Sequence, residues 1–282
     1  METKLKIVHE TVYEFTNEVF IEPHYLRFKP RVTSYNKLES IDFKIFPTPI
    51  SLSEQSDAEN NSVYFCQFDG LHMMVSFRSI SVVTLWENNP FNFGLFPIEN
   101  YDLPLQYDPQ TQMILHAALL PYNISNSLID FGNTVLANSN NKTLDFLVNL
   151  TNRIYADFTG ETRLVGEPNS PETTLQRGKG SCRDLAWMQI HLLRYFGIAA
   201  RFVSGYYFTN AGHTPYELHA WVEVYLPGAG WVGFDPSNGI LAGSSHIPVC
   251  SSAHYQHTMP ITGTYRGAPN TNMETSLLIE KI

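Results

Sequence analysis

The chain is poor in cysteine, with three in 282 residues: Cys66, Cys182 and Cys250. An odd, sparse set excludes a disulfide framework and suits a reducing compartment. Charge is scarce too, at 16% of residues, and it leans negative, to a net −9. Without clustered Lys and Arg, neither nucleic acid nor an anionic membrane is an expected partner. No apolar run approaches the roughly 20 residues that cross a bilayer. The opening METKLKIVHETVYEF lacks an apolar signal core and a small-residue cleavage site, so the expected location is the cytoplasm. Glycosylation-type triplets at Asn123 and Asn141 are then chance matches. Internal repeats and low-complexity tracts are also missing. What remains is a globular chain long enough for one large domain or two of average size.

What the chain does have is aromatic and β-branched residues in short alternating runs. KLKIVHETVYEF, VFIEPHYLRFKP, ESIDFKIFP, SVYFCQF and LHMMVSFRSISVVTLW read as strands separated by turn clusters such as SDAENNS. They predict a β-sandwich domain over residues 1–88. Residues 89–140, rich in Pro, Asn and Gly, read as a connector packed on the core. From 141 to 282 the pattern changes. NKTLDFLVNLTNRIYAD repeats Leu144, Leu147, Leu150 and Ile154 at helical spacing, and a short helix is expected after Asn169-Ser170. Next comes the apolar run that starts at Cys182, followed by ARFVSGYYF, LHAWVEVYL and GWVGFDP as strands. Helix followed by antiparallel sheet makes the expected fold class α+β.

The chemistry concentrates in GKGSCRDLAWMQIHLLRYFG. Ser181 is a good N-cap, Leu185, Met188, Leu192 and Phe196 mark a buried stripe, and Gly197 is a plausible stop. Cys182 therefore occupies the first helical turn. There, free backbone amides and the positive end of the helix dipole favour a thiolate and can hold a developing oxyanion. A cysteine nucleophile needs a base, and the base an orienter. His219 stands at the head of HAWVEVYL and Asp235 at the end of GWVGF. If these runs pair around PGAG, both side chains fall at the same end of a hairpin. Singly, each residue has a plainer reading: a small core thiol, a packed histidine, a turn aspartate. The order and spacing of all three carry the argument.

Three further features bear on the site. Asp184, in the same first turn, reads as a capping or dipole partner rather than a second acid. Trp221 or Tyr206 is a candidate wall of a substrate cleft, although the aromatic stripe they belong to is mostly sheet core. His246, Cys250, His254 and His257 could approach a zinc shell on a continuous helix, but Pro248 interrupts them. A histidine-rich loop is the expectation there, with no metal and no cofactor.

GSCRDLAWMQIHLLRYFGIAARFVSGYY followed by ELHAWVEVYLPGAGWVGFDPSNG resembles the core of the transglutaminase-like superfamily, most closely its bacterial branch. KIVHETVYEF and LRFKPR resemble that branch's N-terminal domain. The resemblance implies a papain-like fold and a Cys–His–Asp triad for acyl transfer. It places the nucleophile at Cys182, the base at His219 and the acidic orienter at Asp235. Arg183 stands where many relatives carry Gln, so no catalytic role is carried over to it. The implied function is cysteine-dependent attack on an amide or peptide carbonyl through a thioester, with a peptide or protein as substrate. Hydrolysis is the expected outcome, and protein-glutamine cross-linking or a non-catalytic scaffold are the alternatives. The resemblance leaves the second oxyanion donor and the oligomeric state open.

Overall fold

The computed structural model describes residues 2–163, 165–209 and 216–282. The chain starts with five strands: β1 (Glu2–Leu26), β2 (Asn36–Phe46), β3 (Ser51–Ser56), β4 (Ser62–Gln67) and β5 (Leu71–Trp86). A 3-10 turn (Ile98–Tyr101) leads to α1 (Pro109–Ile114), α2 (His116–Leu119), α3 (Asn126–Asn138) and α4 (Thr143–Asp157). Two short elements, β6 (Thr159–Gly160) and β7 (Lys179–Gly180), flank α5 (Pro171–Arg177). Helix α6 (Cys182–Tyr195) is followed by β8 (Ala200–Tyr207), β9 (His219–Leu226), β10 (Gly230–Asp235), β11 (Ile240–Leu241) and β12 (His246–Ser252). A second 3-10 turn (Tyr255–Thr258) precedes β13 (Ile261–Arg266) and β14 (Thr271–Lys281).

The first two predicted strands are one. β1 runs through both, and its register against β5 slips between Glu14 and Val19, in the polar TNE stretch. A bulge of this kind bends the strand and turns its far half toward a new set of neighbours. The near half pairs with β5 and β14, and the far half with β4 and β13. Among the described residues this makes one seven-stranded antiparallel sheet. It folds over a shared core: Phe43 of β2 meets Tyr64 of β4 with ring centroids 4.5 Å apart, above Phe15, Ile21, Leu26, Phe28 and Phe77. The predicted sandwich is this folded sheet. Its last two strands come from the C-terminal end of the segment assigned by sequence to the catalytic unit, so the polypeptide returns to the domain in which it began.

The stretch 89–140 is more regular than a connector. Ser125 accepts the Leu128 amide to start α3, and Leu128 and Val135 enter the same core as α4 and α6. The Pro residues that suggested irregular chain stand mostly in its first half, as Pro90, Pro97, Pro104 and Pro109, ahead of the helix. Helix α6 is buried on every side from Asp184 to Arg194, as a central helix must be. On one side it packs on β8 and β9 through Phe202, Ala220, Val222 and Val224. Those strands belong to a sheet ordered β11-β10-β9-β8-β12. Elsewhere Tyr206, Ile247 and Val249 of that sheet meet Leu5, Ile7, Val83 and Leu85 of the N-terminal sheet. A buried ionic knot reinforces this junction: Glu223 of β9 binds Arg201 of β8 and Arg31 from the N-terminal half. Among the described residues, no helix is long and apolar enough to cross a membrane.

Candidate active site

The start of α6 is fixed by Asp184. Its carboxylate is fully buried and accepts from four donors. The Ser181 amide and hydroxyl donate to Oδ2 at 2.8 and 2.7 Å, and the Asn169 amide to Oδ1 at 2.6 Å. Arg163 adds an ion pair. Asp184 is thus a capping residue, as its place in the first turn predicts. It also ties the segment around 163–169 to the helix start. Gly180 lets the chain pass, because a Cβ there would lie 2.9 Å from the Asp184 Cβ. Arg183 turns away from the chemistry and donates to the backbone carbonyls of Arg163 and Gly166. Cys182, half-buried and unpaired, follows the cap directly.

β9 and β10 form the expected hairpin, with Gly230 opposite Leu226 and Phe234 opposite Val222. That register brings the first residue of β9 beside the last of β10. His219 Nε2 lies 2.7 Å from Asp235 Oδ2. The same ring also interacts with Cys182. The structure therefore brings the three predicted residues together in the predicted order.

Asp235 is fully buried and saturated with donors. Oδ1 accepts the Ser237 amide and hydroxyl at 3.0 and 2.7 Å. Oδ2 accepts Asn238 Nδ2 at 2.7 Å besides His219. Burial opposes its charge, yet His219 and His246 hold its carboxyl well below the usual range. Burial likewise opposes charge on His219, but the adjacent carboxylate and Cys182 outweigh it and push the imidazole up to about 10. The ring is thus oriented by a buried carboxylate.

Sequence reasoning missed the residues that hold Asp235. Ser237 and Asn238 had a legible signal, since Asp-Pro-Ser-Asn-Gly is a turn whose polar side chains commonly bond back to its first residue. His246 had none. It belongs to strand β12, not to a histidine-rich loop, and its Nε2 lies 3.0 Å from Asp235 Oδ2. The run HIPVCSS is strand because every residue in it is buried between sheet neighbours. The zinc shell considered for that region does not assemble. Cys250 donates its thiol to the His257 carbonyl, and the His254 ring packs against Trp187. Among the described residues, His219, Asp235 and His246 do group ligand-type atoms within 4.8 Å of one another. Both histidine Nε2 atoms, however, are committed as donors to one carboxylate oxygen.

The two candidate cleft walls are elsewhere. Trp221 and Tyr206 are each 1% exposed. Trp221 packs behind the histidines with Val203 and Ala242, and Tyr206 is buried against the N-terminal sheet, where its hydroxyl meets His9 Nδ1 at 3.2 Å. Strand alternation puts their large rings into core rather than cleft. Half-buried Tyr207, one residue on, is the aromatic beside the site, with its ring 5.2 Å from that of His219.

Known proteins resemble this chain in both of its halves. Residues 130–236 match the transglutaminase-like superfamily, and residues 5–84 match the bacterial transglutaminase-like N-terminal region. An uncharacterized protein of Mycobacterium tuberculosis is 31% identical over 145 residues, covering 48% of this chain and 45% of the relative. An uncharacterized protein of Bacillus subtilis is 37% identical over 98 residues, covering 29% of this chain and 13% of the relative. The match thus spans less than half the length of these curated relatives. Among solved structures, a Cytophaga hutchinsonii protein provisionally assigned as a cysteine protease superposes with a TM-score of 0.71 at 16% identity. That superposition covers 99% of this chain and 91% of the other, so the two share a fold across both halves.

Proposed function

The chain belongs to the transglutaminase-like superfamily, and from that premise we propose that it is a cysteine-dependent acyl-transfer enzyme that hydrolyses amide or peptide bonds. The observation that carries the reading is His219, held by Asp235 at 2.7 Å and interacting with Cys182. Cys182 attacks the carbonyl carbon of a peptide or protein substrate as a thiolate, its proton already resting on His219. The resulting oxyanion is held by the first-turn amide of α6. His219 gives its proton to the leaving nitrogen, the C–N bond breaks, and a thioester remains. Water, deprotonated by the now neutral His219, attacks the thioester. The acid product leaves, and sulfur and imidazolium return to their starting states. Asp235 stays ionised throughout and orients the ring. Three unpaired cysteines support a reducing compartment, the cytoplasm, as the place of action.

One assay separates the outcomes. The protein is incubated in ¹⁸O-water with a proteome-derived peptide mixture and a fluorescent primary amine, and products are read by mass spectrometry. Hydrolysis places ¹⁸O on new C-termini or on deamidated side chains. Cross-linking places the amine on glutamine. The reading predicts ¹⁸O products that disappear in Cys182→Ala. Amine adducts in excess would reverse the choice of acceptor, and the absence of both products would leave the fold without this chemistry.

A further inference from the structure

Asp235 Oδ2 serves two histidines, and only one of them has a place in the acyl-transfer scheme. His246 is fully buried. β11 pairs with β10, and the chain then crosses the end of the sheet through residues 242–245 to begin β12 on the far side of β8. The crossing is pinned at both ends. The Ala242 amide donates to the Gly233 carbonyl at 2.9 Å, and the Phe208 amide to the Ser245 carbonyl at 2.9 Å. His246, the first residue after it, sits opposite Tyr207 and lies over the carboxylate. Its ring is boxed by Tyr207 and Trp221, with centroids 4.8 and 5.1 Å away. The Gly243 amide donates to Nδ1 at 3.4 Å. Nδ1 is therefore the acceptor, and Nε2 carries the hydrogen that reaches Asp235 at 3.0 Å. Burial lowers the basicity of this ring and keeps it neutral.

From this geometry we infer that His246 is a positioning residue of the acyl-transfer site, a neutral donor that locks the Asp235 carboxylate in the orientation that serves His219. The inference rests on the proposed role of Cys182 and His219. Asp235 accepts four other hydrogen bonds, one from the Ser237 amide, two from the flexible side chains of Ser237 and Asn238, and one from His219, the ring it is to orient. His246 donates from a rigid ring fixed in a different strand. That makes it the contact best able to stop the carboxylate turning about its Cβ–Cγ bond.

The test compares His246→Gln, which keeps an N–H donor, with His246→Leu, similar in size but without one. Native iodoacetamide labelling of Cys182 is followed by peptide mass spectrometry at neutral pH, with thermal midpoints measured alongside. Loss of one hydrogen bond to a charged group corresponds to about a tenfold effect. The expected result is a labelling rate down about tenfold in His246→Leu and restored to within about threefold by His246→Gln. Equal rates in the two variants, whether both fast or both slow, would overturn the role of the donor. If wild-type Cys182 labels no faster than His219→Ala, the proposed function fails instead, and the two failures are distinguishable. A reading that needs no variant is ¹⁵N NMR of the wild type. It should find His246 neutral with the proton on Nε2, and a proton on Nδ1 would overturn the inference even if His246→Leu does not fold.

Discussion

Replacing Asp184 should be among the costliest single changes in the catalytic half, and the cost should be lopsided across its ion pair. The carboxylate is fully buried and accepts from the Ser181 amide, the Ser181 hydroxyl, the Asn169 amide and Arg163. Asp184→Ala removes every acceptor at once and strands two buried backbone amides. Each stranded donor costs about 1–3 kcal/mol, so the two amides together cost about 2–6 kcal/mol, and the Arg163 guanidinium, part-exposed, can turn to water. An overall loss of about 4 kcal/mol is expected. Arg163→Ala is different. The guanidinium side chain is 27% exposed, and without it Asp184 keeps three donors. Its loss should cost about 1 kcal/mol, near the value of a part-exposed pair. Urea unfolding followed by tryptophan fluorescence measures both, as a shift in midpoint at constant slope. Asp184→Ala within about 1 kcal/mol of wild type, or Arg163→Ala as costly as Asp184→Ala, would refute the reasoning.

Other expectations follow from burial and backbone. His9 is 3% exposed and burial lowers its pKa to about 4, against 6.5 in the unfolded chain. The unfolded state then binds a proton that the folded state refuses. Stability is present above pH ~6.5 and falls as pH drops toward 4, by about 3 kcal/mol from this residue; urea titrations at pH 7 and 4 should show a smaller difference in His9→Gln. His219, raised to about 10, has the opposite sign. The advantage of wild type over His219→Ala should be full below pH ~6.5 and fade as pH rises through 10, read from thermal midpoints across that window. Trp221→Ala should cost about 3–5 kcal/mol in urea as a core truncation, whereas a cleft residue would lose far less. Gly239→Ala should cost about 1–3 kcal/mol, because φ is +67° and a Cβ would lie 2.9 Å from the Tyr155 ring.

The site was legible where its residues are neighbours along an element. Ser181, Cys182 and Asp184 share one helical turn, and its cap and dipole are local properties of the sequence. His219 and Asp235 flank one hairpin, whose register follows from PGAG and the alternation on either side. His246 was not legible, because the crossing that brings it over Asp235 depends on how β12 docks beside β8 and not on any local pattern. Trp221 and Tyr206 misled for a related reason: aromatic content marks burial and cleft alike, and only the packed sheets tell them apart. The same limit hid the return of β13 and β14 to β1. Only the final SLLIEKI is strand-like in its own residues, and its partner lies at the other end of the polypeptide.

The most direct test of the central claim is the relative reactivity of the three thiols in the native protein. Cys66 and Cys250 are buried, and burial pushes both up to about 12. Cys182 is half-buried and faces His219. Iodoacetamide at neutral pH, resolved by peptide mass spectrometry, should label Cys182 while the other two remain unmodified, and His219→Ala should slow that labelling at least about tenfold. Labelling of Cys182 at the same rate with and without His219, or no labelling while the protein remains folded, would contradict the account.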